Sequence, residues 1–296
     1  MQHRADQDEA THAAAGDLCL RDLEIAYDIQ QSFLPQTFPA VSGVDLAAAM
    51  HPAREVGGDF YDVIPLVGER VGVLVADVSG KGVPSALYMA LARTLLRTHS
   101  LSARPRYLVD ALESAQVRQL MHTRSAGALA ALGAVGLTND YLTAYHAHSR
   151  MFLTLFYGVY DPQSRLLTYV NAGHDPALLY NPCTGEQDWL QPTDMAIGLI
   201  AGRPFEARER QLRCDDVLLL YTDGVTEARN AARDMFGDER LAETVRDHAC
   251  DHACDHAQAS ASELLQAVEA AVRAFVDGAP QSDDVTLLVL RCEPES

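Results

Sequence analysis

Three short apolar runs, each abutting aspartate, constrain this chain more than any other feature. Val71-Gly-Val-Leu-Val-Ala76 ends on Asp77, Asp216-Val-Leu-Leu-Leu-Tyr-Thr222 ends on Asp223, and Val285-Thr-Leu-Leu-Val-Leu290 begins just after Asp283 and Asp284. Apolar runs of this length, without alternation, predict strands buried on both faces. A further aspartate, Asp59, stands in Val56-Gly-Gly-Asp59-Phe-Tyr-Asp62. The ends of buried strands are where a sheet presents side chains to a cleft. Any one of these aspartates reads as a turn residue, because its side chain bonds nearby backbone. A turn alone, however, gives no reason for Asp over Asn, Ser or Gly at every such place. Carboxylates gathered at one end of a sheet repel one another unless cations neutralise them, so the pattern points to a metal-holding cluster and to hydrolysis.

The order and wording of several motifs carry a resemblance. Val56-Gly-Gly-Asp-Phe-Tyr-Asp62, Ala76-Asp-Val-Ser-Gly-Lys-Gly82, Met151-Phe-Leu-Thr-Leu-Phe-Tyr157, Asn171-Ala-Gly-His174, Tyr221-Thr-Asp-Gly-Val-Thr-Glu227, Phe236-Gly237 and Ser282-Asp-Asp-Val-Thr286 follow one another along the chain. Together they resemble the SpoIIE/RsbU-type bacterial serine phosphatases of the PPM superfamily, which also holds the type 2C protein phosphatases. No single motif would suffice, since Asp-Gly and Asp-Asp are common in acidic chains. The resemblance implies an α+β fold of two central antiparallel sheets flanked by helices, in α-β-β-α layers. It also implies hydrolysis of phosphoserine or phosphothreonine on another protein, with an anti-anti-sigma-factor-like regulator of a partner-switching pathway as the substrate.

Oxygen-only donors select hard ions, so Asp59, Asp77, Asp223 and Asp283 point to Mg²⁺ or Mn²⁺. Two ions about 3.5 to 4 Å apart share a bridging carboxylate and water and stabilise both oxygens of an in-line displacement, without a protein nucleophile. By the resemblance, Asp77 bridges with the backbone carbonyl of Val78 beside it, Asp59 and Asp223 bind one ion or both, and Asp283 completes the set. Asp284 is the alternative for that last place. Arg54 is the candidate for holding the substrate phosphate through a bidentate contact, against a plain surface ion pair. Lys81 reads as structural, and His174 as a turn or supporting residue rather than a general acid. Two other classes of function stay open on the sequence: a non-catalytic binding module of the same fold, and a metal-dependent hydrolase of small phosphate esters.

Composition excludes other classes. With 23 basic against 41 acidic residues the formal charge is −18, which repels a phosphate backbone, so nucleic acid is not an expected partner. No run of apolar residues is long enough to span a bilayer, and the polar, acidic start is unlike a signal peptide, so the expectation is a cytoplasmic protein without membrane contact. The six cysteines show no paired framework and are expected reduced.

Residues 1–16 read as a mobile leader, 17–35 as an N-terminal linker helix stopped by Pro35, and 36–292 as the phosphatase domain. The resemblance implies that this helix pairs with a copy of itself, as a homodimer, or with a regulatory domain; packing on its own domain is the alternative. Strands are expected at 44–50, 61–66, 71–78, 152–160, 166–170, 205–212, 217–221 and 285–290, and helices at 85–98, after Pro105, around 238–247 and at 262–277. Ala115 to Leu137 departs from the family pattern. Its Ala and Gly content predicts a passive insertion, either a weakly specified helix or a mobile flap. The repeat Asp247-His-Ala-Cys-Asp-His-Ala-Cys-Asp-His256 sets His248, His252 and His256 at a spacing that zinc accepts. Duplication of a surface segment is the preferred account, because structural zinc draws ligands from separate segments.

Overall fold

The computed structural model describes residues 21–102, 126–251 and 259–294. The expected leader, the helix after Pro105, the first part of the insertion, and His252 and His256 of the repeat lie outside the described residues. Within them, the helix α1 covers 21–33, and Pro35, which cannot continue a helix, follows its end. Strands β1 (Val44–His51), β2 (Phe60–Pro65) and β3 (Val71–Val78) precede the helix α2 (Val83–Ser102). The helix α3 (Ala126–Tyr145) leads to β4 (Leu153–Asp161), β5 (Leu166–Ala172), β6 (Ala177–Tyr180), β7 (Gln187–Leu190), β8 (Arg208–Gln211) and β9 (Val217–Tyr221). A single turn α4 (Asp223–Thr226), the helices α5 (Gly237–Asp251) and α6 (Ala261–Val276), and β10 (Val285–Cys292) complete the chain.

Two five-stranded sheets result, ordered β1-β10-β9-β6-β7 and β2-β3-β4-β5-β8, with antiparallel pairing between neighbours in each. The strands β3 and β9, read from their unbroken apolar runs as buried on both faces, are almost wholly enclosed. One core fills the space between the sheets and beneath α2 and α3, and includes Phe60, Leu74, Phe156, Tyr157 and Leu290. A second lies between the β1-β10-β9 side and the helices α5 and α6, through Leu241, Leu264, Val268 and Leu287. The expected α-β-β-α layering is the observed one.

The expected strand at 205–212 shortens to Arg208–Gln211, a fully exposed edge strand whose charged residues leave it only the partner β5. Two four-residue strands, β6 and β7, escaped the reading because they are too short to show a period. The Ala/Gly segment is described from Ala126. From that residue onward it takes the helical one of the two expected forms, as the start of α3, whose Ala131, Ala134 and Val135 are fully buried against the core. Small side chains weaken the helix locally but let it lie close on the sheet; Gly127 sits where a Cβ would meet Thr168 of β5 at 3.2 Å.

Asp62, the second aspartate of the Gly-Gly-Asp-Phe-Tyr-Asp motif, anchors the α2 layer. Its fully buried carboxylate meets Arg97 Nη1 at 2.6 Å and Arg93 Nη2 at 3.1 Å, and accepts from the Val63 amide at 2.9 Å. Burial outweighs the two guanidiniums and raises its carboxyl above the ordinary range. Removing one partner of a buried ion pair leaves an uncompensated charge, a loss of about 3–5 kcal/mol. Asp62→Ala is therefore expected to lower the urea-unfolding free energy by that order, and Arg97→Ala, whose side chain is a third exposed, by clearly less. Equal, small losses in both variants would contradict this anchoring.

Candidate active site

Strand register carries the aspartates to one end of the sandwich. Phe60 pairs with Ala76, so Asp59, one residue before β2, lies beside Asp77 at the end of β3. In the other sheet Leu287 pairs with Tyr221, which sets Asp283 and Asp284 beside Asp223. The two halves are joined by Asp59. Its carboxylate Oδ2 accepts from Thr222 Oγ1 at 2.7 Å and from Thr286 Oγ1 at 2.9 Å, and the Thr286 amide donates to Thr222 Oγ1 at 3.0 Å.

Asp284 closes the other side. Its Oδ1 accepts from the Ala53 amide at 2.8 Å, and its Oδ2 from the Gly58 amide at 2.7 Å and the Asp59 amide at 3.4 Å. Both oxygens are thus committed to the loop that carries Asp59. Gly57 is required there by space: a Cβ would fall on the Asp284 carboxylate, as one on Gly224 would fall on the Asp284 carbonyl. Gln30 of α1, buried, clasps the same loop from outside, with Nε2 donating to the Gly57 carbonyl at 2.7 Å and Oε1 accepting from the Gly57 amide at 3.0 Å. Past Asp77, the turn needs Gly80 and Gly82 for their positive φ of +97° and +76°.

The electrostatics are those of crowded like charges. Asp77 is pushed up to about 6, first by burial and then by Asp223 and Asp283. Asp59 is raised well above the ordinary range by burial and by Asp77 and Asp284, and Asp223 is raised by burial and Asp283. Asp283 is less enclosed and pairs with Lys81 Nζ at 2.6 Å, while Lys81 also donates to the Ser282 carbonyl at 2.8 Å. Among the described residues no set of three or more His, Cys, Asp or Glu side chains is drawn together tightly enough to ligate an ion as it stands. The carboxylates are neighbours that act on one another's charge, without a closed coordination shell. In kind, the donors fit a hard divalent ion: all are oxygens, and their raised proton affinity is the signature of negative charge that a cation would neutralise.

Other candidates fall as follows. The Val78 carbonyl borders the site, lying where a Cβ on Gly58 would meet it at 2.8 Å. Arg54 is exposed, and its guanidinium reaches the Gly82 turn, where a Cβ would lie 3.9 Å from Nη1. His174 is buried; its Nε2–H donates to the Tyr221 carbonyl at 3.0 Å, which leaves Nδ1 to accept from Thr154 Oγ1 at 2.8 Å. It supports the strand ends and is no acid. Sequence reasoning missed Asp175, pushed up to about 7 by burial and by Asp223 and Asp238. The one signal available was its place directly after the Asn171-Ala-Gly-His174 motif.

A family comparison matches residues 68–293 to Stage II sporulation protein E (SpoIIE). Protein IcfG of Synechocystis sp. (strain ATCC 27184 / PCC 6803 / Kazusa) is 33% identical over 277 residues, which are 91% of this chain and 41% of IcfG. Phosphoserine phosphatase RsbU of Bacillus subtilis (strain 168) is 26% identical over 270 residues, 91% of this chain and 70% of RsbU. The chain thus spans less than half the length of IcfG. Among solved structures, the SiaA-PP2C domain of Pseudomonas aeruginosa superposes with a TM-score of 0.71 at 23% identity, covering 94% of this chain and 99% of that domain, which shows a common fold.

His174 supplies a pH test. Burial pushes its imidazole from 6.5 down to about 4, so between those values the unfolded chain binds a proton that the folded one refuses. Its contribution is fully present above pH 6.5 and is lost as pH falls toward 4, a difference on the order of 3 kcal/mol. Urea unfolding at pH 7.5 and 4.5 should show a smaller acid loss in His174→Gln than in the unmodified protein. Identical acid losses would mean that His174 is not held neutral.

Proposed function

The chain belongs to the SpoIIE family, and on that premise we propose that it is a metal-dependent protein-serine/threonine phosphatase acting on a phosphorylated regulatory protein. The observation that carries the proposal is the gathering of Asp59, Asp77, Asp223 and Asp283 at one end of the sandwich, each with its proton affinity raised or its charge met by Lys81. A pure binding module gains nothing from carboxylates held in mutual repulsion.

In this reading Asp59, Asp77 with the Val78 carbonyl, Asp223 and Asp283 hold two ions, Mn²⁺ or Mg²⁺. Bound there, they would supply the charge neutralisation and Lewis acidity that acidify water for in-line attack on phosphorus. Asp283 is preferred to Asp284, whose two oxygens are already taken by backbone amides. Asp59 is fixed through Oδ2 by two hydroxyls, which leaves Oδ1 to face an ion. Arg54, free of any carboxylate partner among the described residues and close to the Gly82 turn, would take two phosphate oxygens through its planar fork.

The similarity to RsbU supports a phosphoserine substrate, and an anti-anti-sigma-factor-like protein in a partner-switching pathway is the regulator we propose. A cytoplasmic location belongs to the same proposal; no helix among the described residues is long and apolar enough to cross a membrane. The expected homodimer through the N-terminal helix is retained as well, supported by Ile25 and Ile29, which α1 leaves half exposed.

Hydrolysis of p-nitrophenyl phosphate with added Mn²⁺ should be measurable, and Asp77→Asn should lower kcat on the order of 10²-fold or more. Equal rates in both proteins would remove the enzymatic reading. The two neighbouring aspartates should separate by assay. Asp283→Asn is expected to weaken Mn²⁺ binding in a calorimetric titration with little change in unfolding free energy. Asp284→Ala, which strands the Ala53 and Gly58 amides, should lower unfolding free energy by about 1–3 kcal/mol even in chelator. The reverse pattern would assign the ligand to Asp284.

A further inference from the structure

Beside the carboxylates lies a cleft of ≈ 390 Å³ that the proposed chemistry does not use. It adjoins the site directly, because Gly224 and Ser282, the chain neighbours of Asp223 and Asp283, form part of its wall. Its lining is mixed in a particular way. Ala228, Val272 and Leu287, all buried side chains of the second core, give it an apolar floor. Arg229 and Arg273 stand exposed at its edge, and neither makes an ion pair among the described residues. Arg229 donates only a long bond, 3.4 Å, to the Arg233 carbonyl. Of the two acids four residues from Arg273, Glu269, which also lines the cleft, is taken by His51 Nε2 at 2.7 Å, and Asp277 caps the helix end without an ion pair among the described residues.

These two guanidiniums without carboxylate partners flank one cleft on a chain with a net charge of −18, where acidic groups outnumber basic ones almost two to one. Unpaired arginine beside an apolar floor is the composition of a recognition subsite, since the planar fork binds a carboxylate bidentately and the floor accepts an aliphatic side chain. We propose that this cleft binds the stretch of the substrate polypeptide next to its phosphoserine, taking an aliphatic side chain on the Val272 floor and an acidic side chain between Arg229 and Arg273. The proposal rests on the phosphatase reading for its occupant. It assigns to the cleft a choice among phosphoproteins that the carboxylate centre cannot make, because that centre meets only the phosphate. The same arginines offset the repulsion that an acidic substrate segment meets on approaching a negative protein.

The test uses two fluorescent peptides carrying a phosphonate analogue of phosphoserine that cannot be hydrolysed, one flanked by Leu and Glu, the other by Ala and Lys. Binding is read by fluorescence anisotropy in Mn²⁺ with the full chain. The unmodified protein should bind the Leu/Glu peptide about tenfold or more tightly than the Ala/Lys peptide. In the Arg229→Glu, Arg273→Glu double variant the order should be lost or inverted, with thermal unfolding checking that the fold survives. Equal binding of the two peptides by the unmodified protein, or a preference that survives in the variant, would overturn the subsite. Failure of the phosphatase reading is separately visible as no turnover of p-nitrophenyl phosphate, because the peptide preference is read without hydrolysis.

Discussion

The site depends on two buried carboxylates that tie the sheets together in opposite senses. Asp59, reaching out of the β2-β3 sheet, is held by the hydroxyls of Thr222 and Thr286 in the other sheet. Asp284, at the start of β10, reaches back and accepts the amides of the loop that carries Asp59. Each is charged or polar in a place with little water, where donors meet both oxygens of Asp284 and the Oδ2 of Asp59. The consequence is positional. The end of β3 and the ends of β9 and β10 cannot slide relative to one another without stranding several buried groups. The Asp77 side and the Asp223–Asp283 side therefore face each other across a fixed gap.

That fixed gap explains the electrostatic tension. A loosely joined pair of sheets would let Asp59, Asp77 and Asp223 separate into water and return to ordinary acidity. Here burial and neighbouring charge hold Asp77 near 6 and raise Asp59 and Asp223 with it. The scaffold pays for this crowding through packing elsewhere: the two hydrophobic cores above and below, and the buried Asp62 with its two arginines, which fixes α2 behind the Gly80–Gly82 turn. Gln30 extends the same logic to the N-terminal helix, since α1 touches the Asp59 loop through both hydrogen-bonding groups of Gly57.

The buried strands and the aspartates at their ends were legible in local pattern, and the layering of the sheets followed from the family resemblance of the motifs. Unbroken runs such as Val71–Ala76 and Val217–Tyr221 specify buried strands, and an aspartate next to a strand end has one direction in which to point. What was illegible depends on contacts between distant residues. Nothing in the sequence distinguishes Asp283 from Asp284; the difference appears only when the Ala53 and Gly58 amides arrive from 226 and more residues away to occupy one of them. Nor does the sequence show why Gly57 is needed, since the space it leaves belongs to the Asp284 carboxylate from the far end of the chain. The Ala/Gly run from Ala126 read as weakly specified, because helix propensity omits the sheet against which small side chains pack closely. Asp175 was overlooked since one aspartate after a motif looks like turn chemistry until Asp223 is beside it.

The central claim is that these separated carboxylates act as one binding place for divalent ions. Anomalous scattering at the manganese edge, from crystals grown with Mn²⁺, tests it most directly. The account predicts two manganese peaks lying among Asp59, Asp77, Asp223 and Asp283, with the Asp284 carboxylate still on the Ala53 and Gly58 amides. Manganese found only elsewhere on the surface, with those four side chains unengaged, would contradict it.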